Sequence, residues 1–203
     1  MDQIPYHLNV TLTEECEDML KNSQQNIGNN FPRFKFKKIN LNQLPFPEES
    51  FDVIVANHIL FYVKNIDEVL AEIFRVLKTN GHFYCSTMGC HRLQELEEFV
   101  KAFDSKIVYS KGKLLQNFDF EKGELALLEH FNQVSHKKHT EKLLIYESEG
   151  FLEYVYSVPG NILDIVEKKK IDFESYVKQA INQESNKMLS TSSVNVLFKA
   201  IKV

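Results

Sequence analysis

Glu14, Asn40, Asn57 and His58 each stand at the end of a run that reads as a β-strand. In open α/β sheets ligands bind in the crevice outside the carboxyl ends of the strands, so these positions come first when chemistry is sought. A carboxylate such as Glu14 can accept both ribose hydroxyls of a nucleotide-like cofactor. The competing role is an acid that only complements the positive end of the following helix. Asn40 offers an acceptor oxygen, or a turn-forming side chain. The His58 imidazole has an unperturbed pKa suited to taking a proton from an acceptor. A histidine that merely caps a strand end is the commoner arrangement, and no residue is assigned as catalytic.

Other constellations fail on geometry. His82 and Cys85, with Cys90 and His91, superficially resemble a metal cluster. His82 and Cys85 are an odd number of positions apart on a strand, which puts them on opposite faces, and the spacing is not that of structural zinc. His136 and His139 fail in the same way. No Ser, His and Asp set assembles around a nucleophile motif.

The elements that must position these residues centre on Leu44 to Thr87. Phe51 to Ala56 is an apolar run without alternation, as expected of a parallel strand covered on both faces. Asn65 caps the next helix, with Glu68 three residues on as its capping-box partner. Ile66, Val69, Leu70, Ile73, Val76 and Leu77 form one apolar face. Lys78 closes the last turn, Gly81 supplies a left-handed exit, and His82 to Thr87 is the next strand. This is a right-handed βαβ unit.

Before it, His7 to Thr13 reads as a strand, with Thr13 as cap of a helix that ends at Gly28-Asn29-Asn30. Phe34 to Ile39 is a further strand. After Thr87, helices are expected at 91–103, 124–131, 150–157 and 171–181, with a break at Pro159-Gly160 and extended segments within 134–146. Residues 187–203 read as two strand-like runs around Ser192-Ser193, forming an antiparallel hairpin.

A chain of 203 residues with 43% hydrophobic and 26% charged content suits one globular domain. The net charge of −4 carries no basic bias toward nucleic acid, and Lys168-Lys169-Lys170 reads as a solvated helix end. Val53 to Val63 is too short to span a bilayer. No secretory pattern follows Met1, and three cysteines without a CxxC pair suit a reduced, cytoplasmic protein.

The stretch LPFPEESFDVIVANHILFYV, the amphipathic helix and RVLKTNG resemble the middle of class I S-adenosylmethionine-dependent methyltransferases, within the type 11 group. The resemblance implies a Rossmann-like, mostly parallel sheet with an antiparallel C-terminal hairpin. It implies residues 1–87 as the cofactor-side core and 88–203 as cover helices and terminal strands of a single domain. It also implies S-adenosylmethionine as cofactor and a small-molecule methyl acceptor, while the charge and the short apolar run lead to the expectation of no nucleic-acid or membrane partner. By position, Glu14 matches the ribose acid, since Met19-Leu20 follows at the family's spacing. Asn40 matches the adenine amino contact, the Leu41 N–H a donor to the ring, and Asn57 a contact to the methionine portion. The family's first strand and its Gly-x-Gly-x-Gly turn have no counterpart here. Impaired activity is therefore expected. So is a gap between the first strand and Phe51–Ala56, filled by another segment, by a second chain or by direct pairing. The alternative is a non-catalytic methyltransferase-like module, or a truncated product, acting as an interaction protein.

Overall fold

The computed structural model describes residues 7–27, 33–89, 94–108, 117–157, 160–183 and 189–203. The helix stop at Gly28-Asn29-Asn30, Cys90, His91 and Pro159 lie outside them.

Strand β1 (Val10–Glu14), helix α1 (Glu17–Ile27) and strand β2 (Phe34–Lys38) form a first βαβ unit. The strands are parallel, in register from Val10 opposite Phe34 to Glu14 opposite Lys38. Thr13 is part of β1 and does not cap α1. The first turn instead closes on the Cys16 carbonyl, which accepts from the Leu20 amide at 3.0 Å, so Glu17 and Asp18 meet the positive end of the helix.

Residues 39–50 carry the chain back along β2: Lys37 Nζ donates to the Pro45 carbonyl at 3.0 Å. The amides of Glu49 and Ser50 then reach the carbonyls of Arg75 and Val76. Strand β3 (Phe51–Asn57) thus sets out beside the C-terminal end of the helix that follows it.

Helix α2 (Ile66–Val76) follows, opened by Asn65, whose side chain accepts from the Glu68 amide. Val69, Leu70, Ile73 and Val76 are buried at helical spacing. Strand β4 (Leu77–Met88) pairs parallel with β3. The expected exit at Lys78 and Gly81 differs. The helix ends at Val76, with Arg75 as the basic residue of its last turn, and Leu77 is already extended. The left-handed residue is Asn80, at φ 62°, not Gly81. Glycine is needed at 81 for proximity: a Cβ there would lie 2.6 Å from the Lys78 carbonyl oxygen and 2.8 Å from Leu77 Cγ. Between Leu77 and His82 the chain loops out of register with β3, and Lys78 pairs with Asp52 at 2.8 Å.

The second half adds α3 (Gln94–Phe103), α4 (Phe120–His130), β5 (Gln133–Ile145), α5 (Ser148–Ser157), α6 (Ile162–Val166), α7 (Lys170–Gln183) and β6 (Leu189–Ile201). The terminal segment is one unbroken strand, so the expected hairpin within it does not form. Its antiparallel partners are β4 on one side and β5, which precedes three helices, on the other. Ser192 and Ser193 stay in the ladder. Glu95 of α3 accepts from the Ser192 amide and hydroxyl and from the Thr191 hydroxyl, satisfying polar groups that would otherwise favour a turn.

The result is two sheets, β1-β2 and β3-β4-β6-β5, mixed in the larger sheet and Rossmann-like in their βαβ units. One face of the larger sheet is covered by α2 and α4, which bury Phe83, Cys85, Phe198 and Ala200 against Leu127 and Phe131. Each fully buried phenylalanine contributes about 1.5–3 kcal/mol. Strand β3 departs from the expectation of cover on both faces: Val53 and Val55 remain 52% and 59% exposed. They point away from α2, where no described helix packs on β3. A second core joins α3, α5, α6 and α7 around Val100, Val155, Phe173 and Val177. It sits where the β5–β6 ladder runs on past Met88, from Asn195 to Leu189, about 20 Å beyond the carboxyl end of β4.

Candidate functional site

A cleft of about 650 Å³ separates β1 from β3. Its apolar floor includes Leu44, Phe46, Ile73 and Val76, and Glu14, Glu15, Leu41 and Asn57 line it with polar groups. The floor is held by a polar clamp on α2. Glu72 accepts from the Leu44 amide at 2.7 Å, while Arg75 donates to the Leu44 and Phe46 carbonyls at 3.0 and 2.9 Å. The two side chains also pair directly, Arg75 Nε to Glu72 Oε1 at 2.7 Å. The Arg75 guanidinium, helped by the Leu44 amide, holds the Glu72 carboxyl below its usual pKa. The i, i+3 spacing of Glu72 and Arg75 was the only sequence signal for this clamp.

Glu14 is the last residue of β1, partly buried, and its backbone carbonyl accepts from the Ile39 amide at 3.0 Å. Glu15, not singled out from the sequence, lies beside it in the cleft. Its Oε1 accepts from the Leu41 amide at 3.0 Å. That amide is the donor expected to serve a ligand ring, and here a carboxylate takes it. Asn40 is exposed, and its Oδ1 accepts from the Asn42 amide at 2.9 Å within a tight turn bridged to Gln43. Its side chain serves the turn and does not line the cleft.

At the end of β3, Asn57 lines the cleft and lies opposite Ser86. Ser86 Oγ donates to Asn57 Oδ1 at 3.5 Å. The next amide, His58 N–H, is shared between the Ser86 carbonyl at 3.2 Å and Ser86 Oγ at 3.1 Å. His58 adopts φ 51°, a left-handed conformation uncommon for a side chain other than glycine. Backbone strain of this kind at a strand end often accompanies a binding site. Ser86 was missed in the sequence because only the β3–β4 register sets it beside Asn57.

Elsewhere, Cys85 is fully buried and burial pushes its thiol pKa up, while Cys16 is exposed at the cleft. His136 pairs with Glu124 at 2.9 Å and His139 with Glu141 at 3.3 Å. Among the described residues no group of three His, Cys, Asp or Glu side chains could hold a metal ion, and no helix is long and apolar enough to cross a membrane.

Comparison with known proteins agrees with this architecture. Residues 2–85 match the family model of the methyltransferase domain. The whole chain resembles the crystal structure of the YcgJ protein from Bacillus subtilis, with a TM-score of 0.57 and 17% identity over 95% of this chain and 81% of that one. It likewise resembles phosphoethanolamine N-methyltransferase 2 from Haemonchus contortus, solved with S-adenosyl-L-methionine, at a TM-score of 0.54 and 16% identity over 96% of this chain and 43% of that one. The chain therefore shares the fold of these solved structures, and the match to the methyltransferase-domain model is confined to residues 2–85. Among curated proteins it is similar to the ubiquinone/menaquinone biosynthesis C-methyltransferase UbiE of Rickettsia bellii, 29% identical over 111 residues, which are 54% of this chain and 45% of that protein. The chain spans about half the length of the curated relatives it matches.

Proposed function

We propose that this chain binds S-adenosylmethionine in the cleft between β1 and β3 and directs its methyl group to a small-molecule acceptor. The observation that carries the reading is Glu14 and Leu41 meeting in one cleft with Asn57, within the stretch that matches the methyltransferase family. The name of the UbiE relative, a C-methyltransferase of quinone biosynthesis, supports a small acceptor.

The donor set fits the cofactor. The Glu14 carboxylate can accept the two ribose hydroxyls, and the Leu41 N–H, once Glu15 withdraws, can donate to the adenine ring. Asn57, which lines the cleft and accepts from Ser86, can serve the methionine portion. Asn40 can reach the adenine amino group only by giving up its bond to Asn42. When bound, the cofactor supplies a methyl group activated on a sulfonium. The chain's own residues then hold donor and acceptor in line, which is the main catalytic demand of such a displacement. No proton-transfer role is assigned to His58.

Binding by this chain alone is expected to be weak, because the cleft is open between β1 and β3 and no glycine among the described residues lines it. Two hydrogen bonds to charged groups, at about 1.5–3 kcal/mol each, correspond to about a hundredfold or more in affinity. Calorimetric titration with S-adenosylmethionine is the test. We expect a dissociation constant of roughly hundreds of micromolar, raised about tenfold or more by Glu14→Ala. Absence of binding at millimolar cofactor would favour the non-catalytic, interaction-protein reading, which the exposed Val53 and Val55 also suit.

A further inference from the structure

We propose that a recess in the second core, walled by the end of β5, by α3 and by α5, binds a small organic cation: an apolar body carrying one ammonium group. The recess holds about 400 Å³, within the range of small-molecule pockets. Leu96 of α3, Leu143 and Leu144 of β5 and Phe151 of α5 give it apolar walls. Leu143 and Leu144 are 48% and 38% exposed, so an apolar body seated here takes them out of water. The polar chemistry is one-sided. Tyr146, Phe151 and Tyr154 bring three aromatic rings, and Glu147 is the only charged side chain lining the recess among the described residues. Aromatic rings attract a cation through their negative faces. A carboxylate at the rim attracts it further and repels an anion.

Position separates this recess from the cofactor cleft. The two share no lining residue. Strand β5 stands three strands from β3 in the order β3-β4-β6-β5, about 14 Å across the sheet. Leu143 pairs with Thr191, four residues past the Asn195 that faces Met88 at the end of β4, about 14 Å further along. In-line transfer needs reacting atoms roughly 3–3.5 Å apart. A molecule held in the recess is therefore a second ligand and not the methyl acceptor, and its binding does not depend on the proposed function. Gly150 leaves the recess open on the α5 side. A Cβ there would meet nothing within 4 Å, so a larger side chain can enter the recess without pressing on the backbone. Glu147 also stands just before the first turn of α5, where a carboxylate suits the helix dipole, a role that the neutral counterpart below distinguishes from ligand binding.

The test titrates the full 203-residue chain with 3-phenylpropylamine, followed by calorimetry and by amide chemical shifts. The neutral counterpart is 3-phenylpropanol and the anionic one 3-phenylpropanoate. We expect the amine to saturate below about 1 mM, the alcohol to bind about fivefold or more weakly, and the propanoate not to saturate. The amine should move the amides of Glu147, Gly150 and Tyr154 and leave those of Glu14 and Asn57 in place. Glu147→Gln should weaken the amine about two- to fivefold and leave the alcohol unchanged, which loss of a purely helix-stabilising carboxylate would not do. Gly150→Leu should abolish binding of both while the melting temperature holds or rises, since leucine replaces glycine within a helix. No saturation by the amine, equal affinity for the alcohol, binding that survives Gly150→Leu, or shifts confined to the cleft between β1 and β3 would each overturn the proposal. Amine binding without any binding of S-adenosylmethionine upholds the recess and defeats the proposed function, and cofactor binding without amine binding does the reverse.

Discussion

The carboxylate of Glu15 and the amide of Leu41 meet at 3.0 Å, tying the segment that opens α1 to the loop after β2. In the proposed function this bond occupies the Leu41 amide, the group assigned to donate to the adenine ring. Glu15→Ala is expected to free the donor and tighten S-adenosylmethionine binding by about three- to tenfold. A calorimetric comparison with the parent chain checks it, and a variant that binds more weakly would show that Glu15 itself contacts the ligand.

Ser86 holds both Asn57 and the left-handed His58 amide. Ser86→Ala removes both hydroxyl bonds while leaving the β3–β4 ladder intact. Cofactor affinity is expected to fall about three- to tenfold with the melting temperature nearly unchanged, since these bonds are exposed to solvent. A large loss of stability with unchanged affinity would make the serine a purely structural residue.

Gly81 is a steric requirement. A Cβ would press on the backbone oxygen of Lys78 and on Leu77, which is fully buried, so neither neighbour can move freely. Gly81→Ala is expected to destabilise by about 1–3 kcal/mol, read as a drop of several degrees in a thermal melt. An unchanged melting temperature would mean that the loop between Leu77 and His82 adapts.

Thr87 is fully buried and its hydroxyl donates to the Phe118 carbonyl at 2.6 Å. Thr87→Val keeps the shape but leaves that carbonyl without this donor, at a cost of about 1–3 kcal/mol. Chemical denaturation of the two proteins would show whether the bond matters, and equal stabilities would refute it.

Glu95 joins α3 to β6 through Ser192 and Thr191. The Ser192 hydroxyl, with nearby backbone amides, lowers its pKa from the ordinary 4.5 to about 2. A group depressed in the folded state stabilises above its unfolded pKa, and that contribution is lost as pH falls. The Glu95 contribution is therefore expected to be complete above about pH 4.5 and to fade between there and about pH 2. Ser192→Ala should flatten the stability profile in that window; an identical slope in the variant would rule the pairing out.

The local elements were legible in the sequence because their causes are local. The Asn65 cap, the period of Val69, Leu70, Ile73 and Val76, and the position of Glu14 at a strand end all depend on neighbours within a few residues. What only the tertiary structure decided were contacts between segments far apart in the chain. These are Glu15 on Leu41, Ser86 opposite Asn57, Arg75 on the Leu44–Phe46 backbone, and β5 across from the whole of β6. The exposure of Val53 and Val55 belongs with these. An apolar run shows that a strand can be buried, but whether each face meets a partner is settled by what packs there, and the sequence of the strand itself carries no record of it.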